Sequence, residues 1–371
     1  MTRFHPFELE HYQSLFEHSV EINLADSSVK CTDVGSWLEP EERERLLSLG
    51  LFYPQVNGLR SLREKIAALY GETTPDEVLV TTGAAQANYL VASTILQAGD
   101  GVVWFSPGYR QLPGLAENLG CEVRDVPLDP ERDWSIDWDR FEAQVTDGVR
   151  MVAVVNPNNP TGRIFTRDEM ERIVAACERV GAWLHADEVY HGTELNGAAT
   201  PSFRGMYDKL IVTNSLSKAY GLAGLRIGWA VASPDTIQDL WRRHEYQVIA
   251  AAAPSMLLAD AALDAEHRPS LLDRQRDLTR AGHEVLTEWI EEQDGLFSVQ
   301  RRQATSIGFI RYHVDAPSLD VAERIRTEAS VLTAPGSFLG TEGHLRVTVG
   351  YESERIRPAL DRIASVVRGM R

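Results

Sequence analysis

The chain has 371 residues, with 37 Lys and Arg against 54 Asp and Glu, giving a formal net charge of −17. A hydrophobic share of 43% and a charged share of 25% are ordinary globular usage and exclude an intrinsically disordered chain; the length suggests about two domains around a large core. The acidic balance argues against nucleic acid or an anionic membrane as partner, while leaving room for a local basic pocket that takes a small anion.

Residues 7–19 pattern as a short helix and 21–24 as a strand. Short apolar runs then alternate with amphipathic stretches. The runs are 78–82, 102–105, 122–126, 151–156, 183–187, 210–214 and 227–232. Residues 167–180 typify the stretches between them, with Met170, Ile173, Val174 and Cys177 at helical spacing. Nearly continuous apolar strands joined by helices predict an α/β fold with a mostly parallel, seven-stranded sheet covered on both faces. After Pro234 a helical region extends to about residue 290, with breaks near Pro254 and Pro269. Segments 297–301, 306–312, 331–335 and 345–349 read as strands, and 354–367 as a closing helix. The expected organisation is a large domain at 46–285 and a smaller α+β domain at 286–371, which the N-terminal segment 1–45 joins.

Cys31, Cys121 and Cys177 are odd in number, far apart and without C-x-x-C spacing. They read as small packing residues rather than a disulfide or zinc site, and no metal is expected. The first residues lack a signal peptide's apolar stretch, and no run approaches the ~20 apolar residues of a membrane span. A soluble, cytoplasmic protein is the expectation.

The densest chemical signal is Asn214-Ser215-Leu216-Ser217-Lys218-Ala219-Tyr220-Gly221, continuing through Gly224-Leu225-Arg226-Ile227-Gly228. One lysine sits between a strand ending in hydroxyls and a glycine-punctuated segment with one arginine. A lysine amine so placed can form a Schiff base with an aldehyde, and Ser215 and Arg226 can hold a phosphate. The whole string resembles the pyridoxal-phosphate lysine motif of class I/II aminotransferases, the fold-type I enzymes. The resemblance extends from about Phe7 to the C-terminus. It implies pyridoxal 5'-phosphate as cofactor, Lys218 as the catalytic Schiff-base lysine, and Ser215, Ser217 and Arg226 as cofactor contacts.

Other segments fit the same resemblance. In Thr81-Thr82-Gly83-Ala84-Ala85-Gln86 small residues between a strand and a helix let backbone N–H groups approach an anion. Gly83, Ala84 and Ala85 thus resemble the family's phosphate loop. In Asn156-Pro157-Asn158-Asn159-Pro160-Thr161-Gly162 the prolines stiffen a turn at a strand end. Asn159 matches the family's asparagine at the cofactor's phenolic oxygen and is also a substrate candidate. In Asp187-Glu188-Val189-Tyr190 a carboxylate ends a buried strand, which is costly unless paired. The resemblance pairs Asp187 with the pyridine nitrogen, places Tyr190 near the phenolic oxygen, and leaves Glu188 structural. Tyr109 matches the aromatic that stacks on the cofactor ring, and Arg346 the arginine that grips the substrate α-carboxylate. Tyr53 resembles the tyrosine that reaches the phosphate of the neighbouring subunit, which implies a homodimer.

The match breaks at Asn23-Leu24-Ala25-Asp26-Ser27-Ser28-Val29, where the family's N-terminal substrate segment has glycines. This region and Ser217–Leu222 also resemble capreomycidine synthase and related enzymes that cyclise or oxidise arginine derivatives. The leading expectation is an aminotransferase taking a free, small-molecule α-amino acid. The alternative is elimination and cyclisation of an arginine derivative, and Glu10 and Asp26 are the acids that would meet a cationic side chain. A regulator's sensing domain is disfavoured, since the segment before Tyr53 is too short to hold a DNA-binding domain as well as the family's own N-terminal elements.

Overall fold

The computed structural model describes residues 4–371 except 198 and 301. The strand expected at 297–301 therefore ends outside the described residues. The N-terminal part holds helix α1 (Glu8–Phe16), strand β1 (Ile22–Asn23) and helices α2 (Pro40–Leu47) and α3 (Arg60–Ala67). The central part runs β2 (Val78–Thr81), α4 (Gly83–Ile95), β3 (Gly101–Ser106), α5 (Gln111–Asn118), β4 (Glu122–Asp129), β5 (Ser135–Ile136), α6 (Trp138–Gln144), β6 (Val149–Val155), α7 (Arg167–Val180), β7 (Trp183–Asp187), β8 (Leu210–Ser215) and β9 (Gly228–Val231).

These strands form one eight-stranded sheet in the order β2-β9-β8-β7-β6-β3-β4-β5. The four central pairings are parallel, while β9 runs antiparallel to both β2 and β8. The eighth strand, absent from the sequence reading, is the two-residue β5, paired antiparallel with the end of β4. It is too short to leave a periodic pattern. Strands β2, β3, β8 and β9 are buried along their whole length, which is why they read as apolar runs.

Helix α7 shows how sequence sets a local element here. Thr166 and Glu169 form a reciprocal capping box at its start, and Gly181 ends it at φ +68°. Its buried stripe is Met170, Ile173, Val174, Ala176 and Cys177. The helical region after Pro234 resolves into α8 (Pro234–His244), α9 (Ala253–Ala262) and α10 (Arg268–Glu291). Each has proline in its first turn, where no N–H partner is lost.

The C-terminal part contains β10 (Phe297–Ser298), β11 (Ile307–Tyr312), α11 (Ser318–Ala329), β12 (Val331–Leu332), β13 (Ala334–Pro335), β14 (His344–Thr348) and α12 (Ser353–Arg368). An antiparallel sheet is ordered β10-β11-β14-β13. β1 pairs in parallel with β12, and Leu24 is buried in the same apolar cluster as Leu345, Val347 and Ile363. Helix α10 runs unbroken through the expected 285/286 boundary. Among the described residues no helix is long and apolar enough to cross a membrane.

Register positions the chemistry. Val155 of β6 pairs with Asp187 of β7, and Asp187 with Thr213 of β8. The carboxyl ends of three parallel strands therefore lie side by side, where ligands bind in open α/β sheets.

Candidate active site

A cavity of about 710 Å³ opens at these strand ends. Its lining includes Ala84, Ala85, Tyr109, Asn159, Asp187, Tyr190, Ser215, Ser217, Lys218 and Arg226, and also Glu10 and Asp26. Residues scattered over more than two hundred positions thus share one space. Among the described residues no group of His, Cys, Asp and Glu suits a metal ion.

One end of the cavity is built for an anion. Helix α4 starts there at Gly83, whose φ is +77°. The positive φ favours glycine, and a Cβ there would lie 2.5 Å from Arg226 Nη2 and push that guanidinium aside. Arg226 is itself left-handed at φ +52° and faces the first turn of α4 beside Ser215 and Ser217. A guanidinium, two hydroxyls and a helix N-terminus suit a phosphate.

The deep wall carries Asp187. Burial pushes its carboxyl up to about 6, against hydrogen bonds from Asn88 Nδ2 at 3.1 Å and the Val189 N–H at 3.2 Å. A buried acid at a strand end suits a protonated ring nitrogen. The neighbouring Glu188 points elsewhere, accepting from Ser202 Oγ and the Phe203 N–H, as a structural role requires.

Lys218 Nζ donates to Ser27 Oγ at 2.8 Å and Ser28 Oγ at 3.2 Å. The segment carrying these serines is fixed on several sides. Arg346 Nη2 donates to the Ala25 carbonyl at 2.6 Å, Tyr190 Oη to the Ser27 carbonyl at 3.3 Å, and Thr348 Oγ1 to the Ser28 carbonyl at 2.8 Å. Asp26 Oδ1 accepts from the N–H groups of Ser27 and Ser28. Burial raises the Asp26 carboxyl, but the Lys218 charge and the Ser28 and Ser27 donors outweigh it and hold it below the usual range. Burial likewise raises the Tyr190 phenol, with Lys218 opposing.

Arg346 is 1% exposed on β14. Its Nη1 donates to Asn159 Oδ1 at 3.3 Å, and its Nε is buried without a partner. A free buried donor next to the cavity-lining Asn159 matches an arginine prepared for a carboxylate. Tyr109 Oη donates to Glu10 Oε1 at 3.0 Å, and its ring meets Phe7 edge-on at 5.1 Å. Burial, then the Glu10 charge, drives its phenol well above the ordinary value.

Three expected site residues do not line the cavity: Gly83 lies behind Arg226, Arg346 reaches it through Asn159, and Tyr53 is 79% exposed and away from it. Conversely, Asn88, Gln111, Ser27, Ser28 and Glu17 line the cavity without having been assigned from sequence. Two of them carry a readable signal. Asn88 follows Ala84 by four residues on one helix face, and Glu17 lies seven positions after Glu10.

A large mixed sheet, a lysine at its strand ends, a buried carboxylate and an anion cradle define a pyridoxal-phosphate enzyme of the α/β type. The family model "Aminotransferase class I and II" matches residues 21–363. The chain belongs to this family, and its cofactor is pyridoxal 5'-phosphate. It is 28% identical over 331 residues to an aspartate aminotransferase of Streptomyces avermitilis, covering 85% of this chain and 81% of that one. It is 30% identical over 310 residues to capreomycidine synthase of Streptomyces vinaceus, covering 82% and 77%. The crystal structure of a pyridoxal-phosphate-dependent aminotransferase from Streptococcus suis superposes with a TM-score of 0.92 at 29% identity, covering 100% and 99% of the two chains.

Proposed function

We propose that the protein is an aminotransferase acting on a free α-amino acid, with Lys218 as its proton-transferring base. The single observation that carries this is the placement of Lys218 Nζ in one cavity with Asp187, the Arg226 cradle and Asn159, which joins it to Arg346. Bound pyridoxal phosphate supplies an electron sink for a bond broken at the substrate α-carbon. Gly83, Ala84, Ala85, Ser215, Ser217 and Arg226 would hold its phosphate end. Asp187 would pair with the ring nitrogen, Tyr109 would flank the ring, and Asn159 and Tyr190 would meet the phenolic oxygen. In a homodimer the partner subunit's Tyr53 would add to the phosphate site, as the side chain's exposure in one chain permits. Lys218 Nζ takes the α-proton and gives it back elsewhere, so the amine must be held yet free to swing. Hydroxyl partners such as Ser27 and Ser28 orient it without neutralising it.

The role of Arg346 is directly testable. Arg346→Lys keeps the charge but loses the planar fork. The Michaelis constant for the amino acid is expected to rise about tenfold or more, with cofactor retention unchanged by absorbance titration. Equal loss of cofactor would assign Arg346 to folding instead.

A second reading is favoured by the acids at the cavity: elimination and cyclisation of an arginine derivative. Glu10, Glu17 and Asp26 line the same space and would suit a guanidinium. The similarity to capreomycidine synthase supports it. Purified enzyme should be given an amino-acid panel, including arginine and hydroxyarginine, with and without keto acids, and its products followed by mass. Turnover that requires a keto acid supports transamination; water loss with ring closure and no acceptor supports the second reading. For arginine-like substrates, Glu10→Gln and Asp26→Asn are each expected to raise the Michaelis constant about tenfold while sparing neutral amino acids. Asp26→Asn keeps an Oδ1 able to accept from the Ser27 and Ser28 N–H groups, so the turn that holds Lys218 should stay capped. If the wild type ignores arginine-like substrates, the guanidinium reading fails.

A further inference from the structure

Behind Asp187 lies a line of buried polar groups with no counterpart in the reading above. His185 Nε2 lies 3.0 Å from Thr213 Oγ1, which donates to Asn88 Oδ1 at 2.8 Å, and Asn88 Nδ2 donates to Asp187 Oδ2 at 3.1 Å. All four residues are buried. They come from three elements: His185 and Asp187 from β7, Thr213 from β8 and Asn88 from α4.

The direction of every bond follows from valence. A carboxylate accepts, so the amide edge facing Asp187 must be Nδ2. Gln111 Oε1, itself an acceptor, lies 3.1 Å from the same nitrogen. Asn88 therefore turns Oδ1 to Thr213, and the single hydroxyl proton of Thr213 must point at it. Thr213 then has only lone pairs for His185, so His185 carries its proton on Nε2. Burial lowers the His185 imidazole to about 3, which keeps it a neutral donor. Each group polarises the next in the same sense, and such chains strengthen cooperatively.

We propose that His185, Thr213 and Asn88 are positioning residues forming one directed hydrogen-bond line that fixes Asp187 as an acceptor, and thereby keeps the shared proton on the cofactor's ring nitrogen rather than on the carboxylate. A donor on Oδ2 stabilises the anion; without it the carboxylate becomes more basic and draws the proton toward itself. The inference rests on the cofactor and holds whether the enzyme transaminates or cyclises.

The test uses holoenzyme loaded with pyridoxal phosphate carrying 15N in its ring, read by nitrogen NMR at neutral pH. In the wild type the ring nitrogen should resonate as a protonated pyridine. In Asn88→Leu the signal should move well toward the unprotonated position, and the cofactor should dissociate about tenfold more readily. Thr213→Val, which keeps the side-chain shape but removes both bonds, should give a smaller shift in the same direction. Thr213→Ser should restore the wild-type signal. A purely packing role would leave the ring nitrogen unmoved in every folded variant, and that result would overturn the proposal. Should Asn88→Leu not fold, the Thr213→Val and Thr213→Ser pair decides: an unchanged signal in Thr213→Val overturns the line, and a shift rescued by serine establishes it.

Discussion

Lys218→Ala should reduce turnover by about three orders of magnitude or more while leaving the cofactor site able to fill. General-base catalysis alone accounts for roughly 10²–10⁴-fold, and loss of the covalent link adds to it. Lys218 is the one lysine among the described residues that lines the cavity, so no neighbour can take over. The residues proposed for the phosphate end, Gly83, Ala84, Ala85, Ser215, Ser217 and Arg226, are not among the hydrogen-bond partners of Lys218 Nζ. Borohydride treatment of the yellow wild-type holoenzyme should fix a pyridoxyl group on the peptide containing Lys218, as mass spectrometry will show. Labelling of another lysine would remove the assignment. Added primary amine should restore part of the activity of Lys218→Ala, because the cavity keeps room for a small base.

The contacts of Lys218 also mark how far the sequence is readable. Its own string is legible because one lysine, two serines, an arginine and several glycines fall within about fifteen positions, a combination a surface turn has no reason to assemble. Its partners Ser27 and Ser28 lie 191 and 190 positions away. They are visible in sequence only as a departure from a family pattern, because β1 must first pair with β12 before the segment after it can reach the lysine. Most central strands are legible since burial on both faces makes them largely apolar. Helix α2 is not: none of its residues is buried, so Pro40–Leu47 leaves no apolar stripe. Asn88 shares a helix face with Ala84, but its role is hidden for a different reason. An asparagine inside an otherwise apolar helix carries no label for its partner, and its meaning depends on Asp187 and Thr213 arriving from two strands.

Asp187→Ala should slow α-proton removal by about two orders of magnitude or more, equivalent to ~3 kcal/mol of lost transition-state stabilisation. The carboxylate is held between β6 and β8 by register, receives Asn88 and the Val189 N–H, and has burial working against its charge. A buried acid flanked by two strands and given two donors in a low-dielectric wall suits a cationic partner, and the partner proposed above is the ring nitrogen of bound cofactor. Charge rather than volume is the quantity at issue. Asp187→Asn, which fills the same space, should therefore be nearly as slow as Asp187→Ala, whereas Asp187→Glu should recover part of the rate. Single-turnover kinetics with an α-deuterated amino acid, at saturating cofactor, separates the step from binding. The deuterium isotope effect should grow in Asp187→Ala as proton removal becomes fully rate-limiting. An Asp187→Ala enzyme with wild-type rate and isotope effect would make the carboxylate a strand-end brace, and the buried line behind it would then brace the same place.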